Sequence, residues 1–129
     1  METKFNFKSQ ICTSRVQSER LLALGLKKET ADMRRPHYNE HTPWVIDERD
    51  CLNEHWLPAW SLHRLIEMMP QSIYHNEEDW YKIIYNNSVC YQRGQYSICR
   101  SCKGDLYEDF ANCIEWLIKE GYFNKEYLV

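Results

Sequence analysis

Glycine and proline are scarce in this chain, four of each among 129 residues. The scarcity argues against a disordered or low-complexity protein. It also leaves little material for a phosphate-cradling loop, and no P-loop, nucleophile elbow or dinucleotide fingerprint is present. No apolar run approaches the roughly 20 residues that a membrane-spanning helix needs. The opening residues, METKFNFK, lack the apolar stretch of a secretory leader. Excess positive charge is missing too: 16 Lys and Arg against 19 Asp and Glu leave a net charge of −3. Nucleic acid is therefore a disfavoured partner, with Lys27, Lys28, Arg34 and Arg35 the only basic cluster. The expectation is a cytoplasmic chain without a membrane segment, its six cysteines held as thiols.

What the chain has in quantity is aromatic surface. Five Trp, nine Tyr and four Phe make up 14% of it. Aromatic side chains dominate cores and interfaces alike, so this surplus is compatible with a binding face. The length suits one domain over residues 1–129, large enough to bury a core without a metal or disulfide staple.

Local signals divide the chain into helices and strands. Ser14 and Gln17 have capping-box spacing, and Gly25 stands where a left-handed residue ends a helix, which predicts a helix over about 15–24. Residues 27–43 carry Pro36 and Pro43 and read as a loop, with Trp44, Val45 and Ile46 a short strand after it. Leu62, Leu65, Ile66 and Met69 repeat at helical spacing between Ser61 and Pro70, predicting a helix over about 61–69. Trp80–Tyr85, Ser88–Gln92 and Gln95–Cys99 read as successive strands, with Ile73 and Tyr74 a fourth. Asn86 and Asn87 can accept the positive φ of a tight hairpin turn, and Gly94 allows the next turn. Asp105 and Glu108 form another capping box before the apolar positions Leu106, Phe110, Cys113, Ile114 and Leu117, and Gly121 closes that helix. The sum is an α+β fold: a small antiparallel meander of three or four strands packed with about three helices on one face.

Candidate sites are few. Cys99 and Cys102 form a CxxC. A redox pair would need its first cysteine at a helix N-terminus, and the predicted helix begins several residues later. A zinc site would need a second ligand pair, for which His37 and His41 have the spacing. The plainer reading is two thiols near a strand end, so no cofactor is expected, with zinc the one candidate. Cys12, Cys51, Cys90 and Cys113 read as small buried hydrophobes. His63 and Glu67, one helical turn apart, could form half a metal site or an acid–base pair, and more often such a pair is a solvated face. Asp47, Glu48 and Asp50, and Glu77, Glu78 and Asp79, read as charged turns. Trp116 falls off the centre of its helix stripe, which makes it an interface anchor, the wide edge of the core, or a ring covered by the C-terminal tail. Met68 lies off its stripe in the same way.

Three stretches are familiar in combination: SERLLALGL at 18–26 with TADM at 30–33, PAWSLHRLIEMMP at 58–70, and CIEWLIKEGYF at 113–123. Together they resemble a group of small uncharacterised proteins of Bacteroides-type gut bacteria, often encoded near prophages or other mobile elements. The resemblance implies a bacterial, phage-related setting and no activity. The leading expectation is a non-catalytic accessory domain that binds a protein or forms a homodimer through Trp116, Met68 and the aromatics of the meander. The alternative is a small enzyme or zinc-dependent domain whose site is assembled from scattered Cys, His and acidic residues.

Overall fold

Ser14 opens the first helix as its spacing implies. Its Oγ accepts from the Gln17 N–H at 3.2 Å, and the Gln17 side chain accepts from the Ser14 N–H at 2.9 Å. The computed structural model describes residues 9–36, 44–45, 56–99 and 105–129. Helix α1 covers Arg15–Ala23 and ends in a Schellman turn. Gly25, at φ +106°, donates to the Leu22 carbonyl, and Leu26 donates to that of Leu21. Leu21 and Leu26 are both buried in the main core.

The segment expected to be a loop holds a strand instead. β1, Met33–Pro36, lies at the centre of a three-stranded antiparallel sheet, between β2, Trp44–Val45, and β3, Trp56–Ala59. Cross-strand pairing overrides the prolines here: Pro58 sits opposite Arg34 on β3, an edge strand, where a missing N–H is tolerated. Cys12, Met33 and Ala59 form a small core on this sheet. A polar network locks it to the helices that follow. Thr13 and Trp60 exchange hydrogen bonds, and Asp32 accepts from both the N–H and the hydroxyl of Ser61.

Ser61 also caps α2, Leu62–Met68, by accepting from the Arg64 N–H at 3.2 Å. The chain then enters the predicted meander: β4, Ser72–His75; β5, Glu78–Ile84; β6, Val89–Arg93; and β7, Tyr96–Ile98, antiparallel in that order. Two of its turns are two-residue loops, the expected one at Gly94 between the paired Arg93 and Tyr96 and an unexpected one at Asn76. Asn76 and Glu77 take φ +51° and +65° between the paired residues His75 and Glu78. Two positive φ values in a two-residue loop match the right-handed twist of the flanking strands. Asn86 and Asn87 form the tip of the next hairpin, with the Tyr85 N–H donating to the Ser88 carbonyl at 2.7 Å across them, but neither takes positive φ.

α3, Leu106–Glu120, begins at Asp105, whose side chain accepts from the N–H groups of Tyr107 and Glu108. Glu108 does not turn back to complete a capping box. Its carboxylate takes a hydrogen bond from Gln17 Nε2 at 2.9 Å and pairs with Arg20 at 3.6 Å, joining α3 to α1. Gly121, φ +80°, ends the helix with the same Schellman pattern. One face of the meander, with Ile73, Trp80, Val89 and Tyr91, packs on Leu65, Met68, Phe110, Ile114 and Leu117 of α2 and α3. The architecture is α+β, with the helices on one side of the meander.

Candidate functional site

Strand alternation decides which meander residues the helices cover. Ile73, Trp80, Val89 and Tyr91 point inward. The intervening positions of β4 and β5 point outward, whereas Cys90 of β6 is fully buried, and the register fixes their neighbours. Tyr81 stands between Ser72 and Gln92, Asp79 opposite Tyr74, and Ile83 opposite Cys90. On this outer face Tyr74 is 65% exposed, Tyr81 56%, Tyr85 39% and Ile83 36%. Tyr81, Ile83 and Tyr85 follow one another at every second residue, and Tyr74 lies diagonal to Tyr81, so the four make one stripe. The Tyr85 hydroxyl donates to Gln92 Oε1 at 2.7 Å, which fixes that ring on the sheet. Ser72, Ser97 and Gln92 supply neutral hydrogen-bonding groups along the row. Among these positions Asp79 carries the single formal charge.

A stripe of large apolar and phenolic groups with neutral polar neighbours can exclude water and form directed hydrogen bonds. Its one carboxylate is Asp79, and the positions named present no cationic group for phosphate. No protein-family model, curated protein or solved structure matches the chain. Functional assignment therefore rests on side-chain geometry.

The residues expected at an interface are placed differently. Met68 is buried to 4% exposure and belongs to the main core, a correction to its expected place on the helix flank. The physical reason is the length of α2. Met69 has left helical geometry, with φ −86° and ψ 135°, so it no longer counts in the wheel. The buried stripe recentres on Leu65 and Met68. Trp116 is half-buried against the core, its ring 5.5 Å from that of His75 and 5.7 Å from that of Tyr122. Tyr122, which follows α3, does reach it, in line with the reading that the C-terminal segment covers the ring.

These three rings form a second constellation that the sequence did not announce. His75 Nδ1 and the Tyr122 hydroxyl are 2.6 Å apart, and the Trp80 Nε1–H donates to the His75 carbonyl at 3.0 Å. Tyr122 borders a cleft of about 240 Å³ together with Glu67, Met69, Pro70 and Tyr127. The Lys82 ammonium sits nearby in a different role. It donates to the Ile66 and Met69 carbonyls at 2.8 and 3.2 Å, capping the end of α2. Burial pulls its pKa below the ordinary lysine value.

Of the zinc candidates, only Cys99 is among the described residues; Cys102, His37 and His41 lie outside them, as do Cys51, Asp47, Glu48 and Asp50. Among the described residues no three His, Cys, Asp or Glu side chains gather in a way that could hold a metal. His63 Nε2 and Glu67 Oε1 are 3.7 Å apart on a solvated face, where Glu67 also meets Arg64. Glu78 pairs with Arg93 at 3.2 Å, while Glu77 occupies the turn and Asp79 the outer face, so the acidic run diverges. Cys12, Cys90 and Cys113 are fully buried, as expected of small hydrophobic thiols. Among the described residues no helix is long and apolar enough to cross a membrane.

Proposed function

We propose that this chain is a non-catalytic protein-binding domain that associates with a second copy of itself through the outer face of the meander. The observation that supports the reading is the stripe Tyr74, Tyr81, Ile83 and Tyr85, exposed in continuous register on the sheet face opposite the helices. Tyrosine supplies contact area at low conformational cost and is enriched at interface centres. The near-neutrality of the face favours a like surface. Two copies related by a two-fold axis would set phenol against phenol without opposing charge rows. A nucleic acid would instead require Lys or Arg beside the aromatics, and the row presents Asp79. The three sequence stretches add a bacterial mobile-element setting to this proposal; the binding face does not depend on it.

Light scattering over a wide concentration range tests the reading. The expected result is a concentration-dependent dimer that Tyr81→Glu combined with Ile83→Glu reduces to monomer, while circular dichroism keeps the native signature. A monomer at every concentration overturns it.

A second, enzymatic reading is favoured by one observation, the short His75–Tyr122 hydrogen bond at the edge of a cleft. An imidazole can take or return the phenolic proton and so make Tyr122 an acid–base group. Saturation of that cleft by small carbonyl or ester probes, lost in Tyr122→Phe, would be its signature.

A further inference from the structure

The cleft beside Tyr122 has most of its hydrogen-bond acceptors already in use. The Pro70 carbonyl accepts from the Tyr91 hydroxyl at 2.6 Å, and the Met69 carbonyl from the Lys82 ammonium at 3.2 Å. Asn124 Oδ1 accepts from the Glu126 N–H at 3.0 Å, and the Tyr122 hydroxyl is shared with His75 Nδ1. What the lining has left to offer is charge and aromatic surface. Among the described residues that line the cleft, Glu67 carries the single formal charge. Its Oε1 lies 3.6 Å from Arg64 and 3.7 Å from His63, while its Oε2 makes no ion pair or hydrogen bond among the described residues.

Both phenols at the cleft are held in place. The Tyr122 ring lies 5.7 Å from that of Trp116, and its hydroxyl is 2.6 Å from His75. The Tyr127 ring meets Phe123 edge-on at 5.9 Å, and its carbonyl accepts from the Lys27 N–H at 2.8 Å. Rings fixed before a ligand arrives cost little to order when it binds. The cations in the neighbourhood are directed elsewhere: Lys82 to the Ile66 and Met69 carbonyls, and Arg64 to the Thr30 carbonyl at 3.2 Å.

We infer that this cleft of about 240 Å³ binds a small methylated ammonium ion, set between the Tyr122 and Tyr127 rings beside the Glu67 carboxylate. An anion would meet Glu67 with no cationic group in the lining to offset it. A primary ammonium would bring N–H donors to a lining whose acceptors are mostly occupied, and leaving donors unpaired is costly. A methylated ammonium has no such requirement. It carries its charge on an apolar surface and is attracted by aromatic faces and by a carboxylate. Binding of this kind needs neither the Tyr122 proton nor the outer tyrosine stripe. Failure of self-association, or of the carbonyl and ester probes, therefore leaves it standing.

Amide NMR titration of the whole chain with choline tests the inference, with the neutral isostere of choline, carbon in place of nitrogen, as the control. Choline is expected to shift the Met69, Asn124 and Tyr127 signals saturably, and the isostere to bind at least about tenfold more weakly. Tyr127→Leu keeps apolar bulk and removes the ring, and Glu67→Gln removes the charge at an exposed position. Each should weaken choline and leave the isostere unchanged. A trimethyllysine peptide that binds more tightly than choline would assign the recognised ammonium to a protein side chain instead of a free small molecule. Equal binding of choline and isostere overturns the inference, as does the absence of a saturable shift at the cleft. So do variants that bind choline as well as the original chain, or that weaken both probes alike, since the cleft would then select by shape and not by charge.

Discussion

The hydroxyl of Tyr122, the first residue after Gly121, lies 2.6 Å from Nδ1 of His75 on β4. One hydrogen bond thus ties the end of α3 to an edge strand of the meander. Tyr122→Phe keeps the ring stacked on Trp116 and removes only this bond. The expected loss is about 1 kcal/mol of stability, read from urea unfolding. A loss below the error of the measurement would show that water replaces the phenol at His75.

Met68 and Tyr81 separate packing from association. Met68→Ala leaves a cavity in the core and should cost about 2–5 kcal/mol. Tyr81→Ala removes an exposed side chain and should leave stability within about 0.5 kcal/mol while weakening self-association. Reversal of the two effects in denaturation and sizing experiments would return Met68 to the surface.

Gly121 holds φ +80°, and a Cβ built there meets nothing within 4 Å. Gly121→Ala therefore carries backbone strain without a clash, about 1–2 kcal/mol. Gly121→Asn should recover part of that loss, because a short polar side chain tolerates the left-handed region. Equal stabilities of the alanine and asparagine variants would contradict the strain argument.

Alkaline pH should unfold the protein through groups whose native pKa is raised. Burial pushes Tyr107 up to about 12 and Tyr91 higher still. Burial also raises Cys12, and the Cys99 contact with burial raises Cys113. Each group keeps its proton in the native state after the unfolded chain has lost it. The stability each contributes is complete below its unfolded value, 9.0 for the thiols and 10.0 for the tyrosines, and is lost as pH rises toward the native value. Lys82 has the opposite sign. Its lowered pKa makes stability rise with pH up to 10.5, the unfolded value. The net expectation is a fall in stability above about pH 9 that steepens above about pH 10, with a slope near 1.4 kcal/mol per pH unit for each group in its window. Tyr107→Phe should flatten the fall between pH 10 and 12, which urea titrations at fixed pH would show.

The helices were legible because their end signals are local. Ser14 with Gln17, Ser61, Asp105, Gly25 and Gly121 each act within a few residues of their own position. The meander was legible for the same reason, its strands being neighbours in sequence. β1 and β3 were not, since a strand containing Arg34, Arg35 and Pro36 has no strand character until β3 pairs with it from more than twenty residues away. Which turn takes positive φ, Asn76 and not Asn86, depended on strand register, which a dipeptide does not encode. The outer tyrosines were visible as composition, and strand alternation later gave them a common face. His75 and Tyr122 belong to segments that only the folded chain brings together.

The antiparallel bridge Leu26–Leu128 has a mechanical consequence. Val129 donates to the Gly25 carbonyl at 2.7 Å and Lys27 to the Tyr127 carbonyl at 2.8 Å, so these two short segments run in opposite directions. Tension between α1 and Val129 would enter both segments at the same end. The bonds would then open one after another, Val129 first, like a zip, and would not resist together in shear. The clasp is easily peeled by a pull along the chain, while the core beneath it, anchored by Leu21 and Leu117, would feel the load only afterwards.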